Sequence, residues 1–223
     1  MNDEPRQTGI HAHGHAGSAA IPVTVLTGFP GAGKTTLLNR ILTGDHGLRV
    51  AVLVNDLGSI NIGADLVVGV DNNTISLANG SVCCSIQDDL IEAVTFALQR
   101  REQPQHLVLE ASGVADPTGI VPTFANSSIR DRIRLDRIVC VLDAEQVLAV
   151  PEAMQLKLRQ IAHADLLLLN KIDLVPRETV ARIAAWLDGW FHRYRLVRTS
   201  RCDVPMSVLL GAGSFDPDAP EMR

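Results

Sequence analysis

Short runs of β-branched and aliphatic residues recur along this chain, separated by longer stretches with a helical period. The runs fall at residues 23–26, 50–54, 106–109, 138–142, 165–169 and 196–197. Most are apolar at successive rather than alternate positions, the pattern of strands covered on both faces. Residues 34–43, 85–101, 152–164 and 177–192 repeat their apolar positions at helical spacing. Residues 71–76 read as an Asn-rich turn entering a short strand. Strand–helix alternation of this kind predicts an α/β domain over residues 21–210, a mostly parallel sheet with helices on both faces. Residues 1–20 hold Gly, Ala, Ser and His without an apolar period and are expected to form a flexible tail. Residues 211–223, rich in Gly, Pro and Asp, are expected to form a second.

Composition narrows the classes of function. In 223 residues, 46% hydrophobic and 20% charged content is that of a globular chain and excludes a mostly disordered one. No apolar run approaches the roughly 20 residues a bilayer helix needs, and the polar start leads into no apolar core, so neither a membrane protein nor a secreted one is expected. A net charge of −5 argues against a general nucleic-acid binder, which needs a basic face. Cys83, Cys84, Cys140 and Cys202 make no disulfide framework for this length, and a reducing cytoplasm is the expected compartment. Of 20 basic residues only Lys34, Lys157 and Lys171 are lysines; genome bias towards arginine codons accounts for most of this, and positions where a compact ammonium is wanted are the alternative.

Residues 28–35, Gly28-Phe29-Pro30-Gly31-Ala32-Gly33-Lys34-Thr35, fit G-x-x-x-x-G-K-[ST] between an apolar strand and a helix, the context that motif requires. The glycines let backbone N–H groups turn towards a phosphate, the helix start adds its positive end, and Lys34 supplies a mobile cation. Gly28, Gly31, Ala32, Gly33, Lys34, Thr35 and Thr36 are therefore candidate nucleotide contacts, with the Thr35 hydroxyl a candidate Mg²⁺ ligand. The domain is accordingly of P-loop NTPase type.

Asn170-Lys171-Ile172-Asp173 follows another apolar run, at the edge where open α/β sheets bind ligands. A carboxylate at Asp173 accepts from N1–H and the 2-amino group of guanine, whereas adenine would leave it unpaired at high cost. This favours GTP, with Asn170 bracing loops and the Lys171 stem lying over the purine; the alternative is a helix-capping Asp after a strand. Glu110 ends the run 107–109 and precedes Gly113, giving a carboxylate for Mg²⁺ and a backbone N–H for the γ-phosphate. Asp56, after the run 50–54, is either a Mg²⁺-linked or water-orienting carboxylate or a strand-end turn former. Lys34, Asp56 and Glu110 are the candidate catalytic set. No Gln or Arg is assigned as an accelerator, so a slow intrinsic rate is expected.

These residues resemble the CobW-like GTPases, P-loop proteins of metallochaperone type related to the GTPases that insert nickel into urease and hydrogenase. The likeness is carried by residues 27–39, Asn55-Asp56, residues 77–80, residues 110–117 and residues 170–173, and runs from about Val23 to about Leu210. It implies that Thr35, Asp56 and Glu110 surround Mg²⁺, that GTP favours a closed, often dimeric state, and that hydrolysis is coupled to a zinc, cobalt or nickel ion and a client metalloprotein. Two departures stand out. Where the family has Cys-x-Cys-Cys, this chain has Ser81-Val82-Cys83-Cys84, and a neutral serine is a poor substitute for a thiolate on zinc. Either another ligand completes a site at Cys83 and Cys84 (Asp56, a histidine or water), or the cysteines are small core-side residues. The chain also ends soon after the GTPase unit, as a compact relative or a truncated form would.

His11, His13 and His15 alternate in the tail, about 7 Å apart on one side of an extended chain. They are either a further metal site or part of a solvated terminus. His46, His106, His163 and His192 have no ligand spacing. The alternative to metal delivery is a regulatory GTPase that acts through partner binding without metal cargo.

Overall fold

The apolar runs become strands of one parallel sheet in the computed structural model, which describes residues 20–54, 74–76 and 86–211. In chain order these are β1 (Ile21–Thr27), α1 (Lys34–Thr43), β2 (Val50–Val54), β3 (Thr74–Ser76) and α2 (Ile86–Leu98). There follow β4 (His106–Glu110), β5 (Ile133–Asp143), α3 (Met154–Ala162), β6 (Leu166–Asn170), α4 (Arg177–Trp190), β7 (Leu196–Arg198) and α5 (Met206–Leu210). The seven strands lie in the order β3-β2-β4-β1-β5-β6-β7. All pairs are parallel, so every strand delivers its last residue to the same edge.

Successive residues of each strand face opposite layers, which is why the runs show no polar alternation. Leu26, Val52, Val108, Val139, Val141 and Leu168 pack with Leu37, Leu38 and Ile41 of α1 and with Leu209 and Leu210 of α5. Their neighbours turn the other way. Val25, Leu53 and Leu107 meet Val94 and Ala97 of α2, while Leu167 and Leu169 meet Ile161 of α3 and Ile183 and Leu187 of α4. Helices thus cover both faces, as expected.

Two elements differ from the pattern reading. β5 begins at Ile133, five residues before its apolar run, because its first half carries Arg134, Asp136 and Arg137. Asp136 pairs there with Arg134 at 3.1 Å and with Arg137 at 3.0 Å. Arg137 also donates to the carbonyls of Val208 and Gly211, tying the last described residues to the sheet. α5 spans five residues, too short to show a period, yet it places Leu209 and Leu210 in the core. Three of the histidines without ligand spacing have local roles. His106 is 1% exposed and bonds Thr24 Oγ1 at 2.9 Å, and burial pushes its imidazole down to about 4. His46 and His163 bond the carbonyls of Ile41 and Arg159.

Candidate nucleotide site

β1 stops at Thr27 and α1 starts at Lys34, so residues 28–33 must turn the chain within one loop at the carboxyl edge. Gly28 has φ 128° and Gly33 φ 115°, conformations that side chains rarely adopt. Neither has room for one. A Cβ on Gly28 would sit 2.2 Å from the Val141 carbonyl, and on Gly33 2.4 Å from Asn170 Nδ2. Lys34 is buried and its ammonium folds back onto the loop, donating to Gly28 O at 2.9 Å and Phe29 O at 3.4 Å. Burial lowers this lysine from its ordinary value, and the Glu110 carboxylate partly opposes that. No side chain caps α1 at Gly33 among the described residues, so its first N–H groups and a desolvated cation share one small region. Ala32 is fully buried, Thr35 half-buried, and Thr36 exposed.

β4 lies directly beside this loop. Glu110 is in register with Leu26, and the Ala111 N–H donates to the Leu26 carbonyl at 2.9 Å. The half-buried Glu110 carboxylate thus belongs to the same edge as Lys34 and Thr35. Gly113 rests against the phosphate loop, since a Cβ there would meet Pro30 at 2.8 Å.

The base motif arrives from β6. Asn170, 2% exposed, donates from Nδ2 to Ala32 O at 2.9 Å and accepts from the Cys202 N–H on Oδ1 at 2.9 Å. It therefore joins the phosphate loop to a third loop, residues 199–203. Lys171 takes φ 62°, and its ammonium reaches Asp143 Oδ2 at 2.7 Å. Asp173 lies on the exposed short turn Ile172–Leu174. The structure brings together Gly28, Gly31, Ala32, Gly33, Lys34, Thr35, Thr36, Glu110, Gly113, Asn170, Lys171 and Asp173 at the carboxyl edge of neighbouring strands. Asp56, Cys83, Cys84, His11, His13 and His15 lie outside the described residues.

Several contributors escaped the motif search. Asp143 ends β5 as Glu110 ends β4, a strand-end acid that could have been noticed by the same signal. Lys157, the third lysine, is buried and donates to Gln146 O and Ala149 O, each at 2.6 Å, with its ammonium 5.0 Å from the Phe29 ring centre. The loop 199–203 has no recognisable spacing, although Arg201 and Cys202 both take positive φ. Among the described residues no cluster of three His, Cys, Asp or Glu could hold a metal ion. Burial pushes the thiols of Cys140 and Cys202 up to about 12 and about 11, so both are protonated and unsuited to metal. No helix among the described residues is long and apolar enough to cross a membrane.

Residues 22–196 match the nucleotide-binding domain described as CobW/HypB/UreG. The chain belongs to this family. Within the CobW/HypB/UreG family it is 31% identical over 238 residues to a zinc-regulated GTPase metalloprotein activator of Dictyostelium discoideum, covering 90% of this chain and 50% of that protein. It is 32% identical over 225 residues to the zinc chaperone CobW of Pseudomonas aeruginosa, covering 86% and 60%. The crystal structure of Zn(II)-bound YjiA GTPase from E. coli superposes with a TM-score of 0.67 at 27% identity, over 86% of this chain and 61% of that one. Nickel-bound HypB from Helicobacter pylori, at 17% identity and a TM-score of 0.59 over 82% and 80% of the two chains, shares the fold. The chain spans 50% to 64% of the length of the first three curated relatives.

Proposed function

We propose that this protein binds GTP with Mg²⁺, hydrolyses it slowly, and couples that cycle to binding a transition-metal ion and passing it to a client metalloprotein. The observation that carries this reading is the brace at Asn170, which locks the phosphate loop and the base motif into one rigid edge. The donor set fits the nucleotide. Lys34 is a desolvated cation, and an anion beside it would restore the stabilisation that burial removes. Thr35 and Glu110, with Asp56, are hard oxygen donors of the kind Mg²⁺ takes. When bound, that ion neutralises charge on the phosphates.

The chain's own groups then divide the work. Backbone N–H groups of residues 31–33 and the start of α1 hold the β-phosphate, and Lys34 bridges towards the γ-phosphate. The Gly113 N–H senses whether that group is present. Asp173 accepts from the guanine N1–H and 2-amino group, and Lys171, steadied by Asp143, lies along the purine. Cys83 and Cys84 are the proposed metal-carrying pair, reshaped by the nucleotide-ordered segments around Asp56 and Gly113, with the zinc-linked names of the relatives in support. Zinc or cobalt suits thiolate donors, nickel less so, and His11, His13 and His15 offer a second capture point. A nucleotide-dependent homodimer and a cytoplasmic location complete the proposal; neither nucleic acid nor membrane is a proposed partner.

Ser81 favours a second reading, a regulatory GTPase acting through partner binding without metal cargo, because it removes a sulfur from the family pattern. Calorimetric titration of Zn²⁺, Co²⁺ and Ni²⁺ into protein loaded with GDP or a non-hydrolysable GTP analogue separates the two. Metal delivery requires an affinity that differs between the two loaded states. Equal affinities support the regulatory reading. Failure to retain guanine nucleotides removes both. Repeating the titration without residues 1–20 assigns any signal to the tail or to the cysteine pair.

A further inference from the structure

α3 lies outside the nucleotide motifs in sequence, yet one side of it reaches two loops of the site. Lys157 sits against Phe29 of the phosphate loop. Three residues on, Gln160 is 1% exposed and donates both protons of its amide: Nε2 lies 3.1 Å from Gly113 O and 3.2 Å from Ala115 O. Arg159 adds an ion pair to Asp116 at 2.8 Å, and Asp116 accepts from the Thr118 N–H at 3.0 Å. On its other side Gly113 meets Pro30. The Gly113 segment is thus held between the phosphate loop and α3. This matters because a glycine has the widest backbone freedom of any residue, and an unheld one would pay entropy to present its N–H.

We propose that Gln160 is the positioning residue of the γ-phosphate sensor: by holding the Gly113 and Ala115 carbonyls it pre-orders the Gly113 peptide, and preference for GTP over GDP depends on it. The inference rests on the GTP reading above. GDP reaches the phosphate loop, Lys34 and Asp173 but offers nothing to Gly113. Loss of Gln160 therefore falls on the triphosphate alone, whereas a merely structural role would weaken both nucleotides together.

The test measures binding of fluorescent GDP and of a non-hydrolysable GTP analogue to the full chain, with Gln160→Leu and Gln160→Glu. GDP affinity stays within about twofold of the parent, and analogue affinity falls roughly fivefold or more, the lower end of measured coupling between sites. Gln160→Glu adds a signature that packing cannot imitate. At neutral pH its carboxylate faces two carbonyl oxygens; once protonated at lower pH, its O–H donates to one of them and part of the GTP preference returns. Gln160→Leu shows no such recovery. Lys157 and Asp143 line the same cavity as Gln160, and the Arg159–Asp116 pair and His163 lie on its flank in every form, so each variant is compared with the parent at the same pH. Should Gln160→Leu fail to fold, Gln160→Met takes its place. Equal losses for GDP and analogue, or an unchanged ratio in both variants, overturn the proposal. A parent that binds neither nucleotide overturns the guanine reading instead.

Discussion

Asn170→Ala isolates the brace on which the site is built. The side chain makes two hydrogen bonds in a region with no water access: its donor serves Ala32 O and its acceptor serves the Cys202 N–H, and both partner residues are 0% exposed. Alanine removes both bonds and leaves a buried carbonyl and a buried N–H unpaired. At about 1–3 kcal/mol for each abandoned group, the expected cost is about 3 kcal/mol. For a domain of this size that lowers the melting temperature by roughly 6–12 °C. Urea unfolding without nucleotide measures the first effect. GDP titration of the folded variant measures the second, a loss of affinity as the phosphate loop and the loop 199–203 drift apart. Asn170→Asp sharpens the test, because it keeps an acceptor for the Cys202 N–H but sets a carboxylate against the Ala32 carbonyl. It should be at least as unstable as Asn170→Ala. An Asn170→Ala protein with the parental urea midpoint would refute the brace, and one that is unstable but binds GDP normally would refute its connection to the site.

Three further outcomes are expected. Asp173→Asn should weaken GDP by roughly a hundredfold and favour xanthosine diphosphate, whose 2-oxo group accepts from the new amide; competition binding checks this, and unchanged guanine preference would make Asp173 a turn cap. His106 titrates near 6.5 when unfolded and at about 4 when folded, so the unfolded chain takes up a proton that the folded chain refuses. The His106 contribution to stability should therefore be constant above pH 7 and fall by about 3 kcal/mol between about pH 6.5 and 4, a component of the pH slope that His106→Gln removes in urea titrations at successive pH. Replacing Cys83 and Cys84 together by Ala should abolish any nucleotide-dependent zinc uptake while leaving GDP affinity unchanged, measured by the same calorimetry; persistence of that uptake would move the metal site elsewhere.

What could be read from residues alone follows a physical line. Buried parallel strands and a glycine-bounded phosphate loop are local patterns, so β1, α1, β2, β4 and β6 and the residues at their ends were legible. Contacts that form by tertiary approach were not. Gln160 looks like any polar residue on an amphipathic helix, and it becomes informative once β4 brings Gly113 to it. Cys202 was visible as a cysteine but not as the residue whose N–H meets Asn170. The early half of β5 was hidden because Arg134, Asp136 and Arg137 satisfy one another with ion pairs rather than apolar burial. Nor did lysine scarcity show where the ammonium groups go: Lys34 reaches the Gly28 carbonyl, Lys157 the Gln146 carbonyl and Lys171 the Asp143 carboxylate.

The Asn170–Ala32 bond spans 138 positions of chain. On a ribosome adding about 5–20 residues per second, the glycine loop emerges on the order of ten seconds before the amide that will lock it. A nucleotide arriving during that interval meets an unfinished clasp. The proposed loading therefore waits for Asn170, and nascent chains stalled before residue 170 should not be retained on immobilised guanosine phosphates.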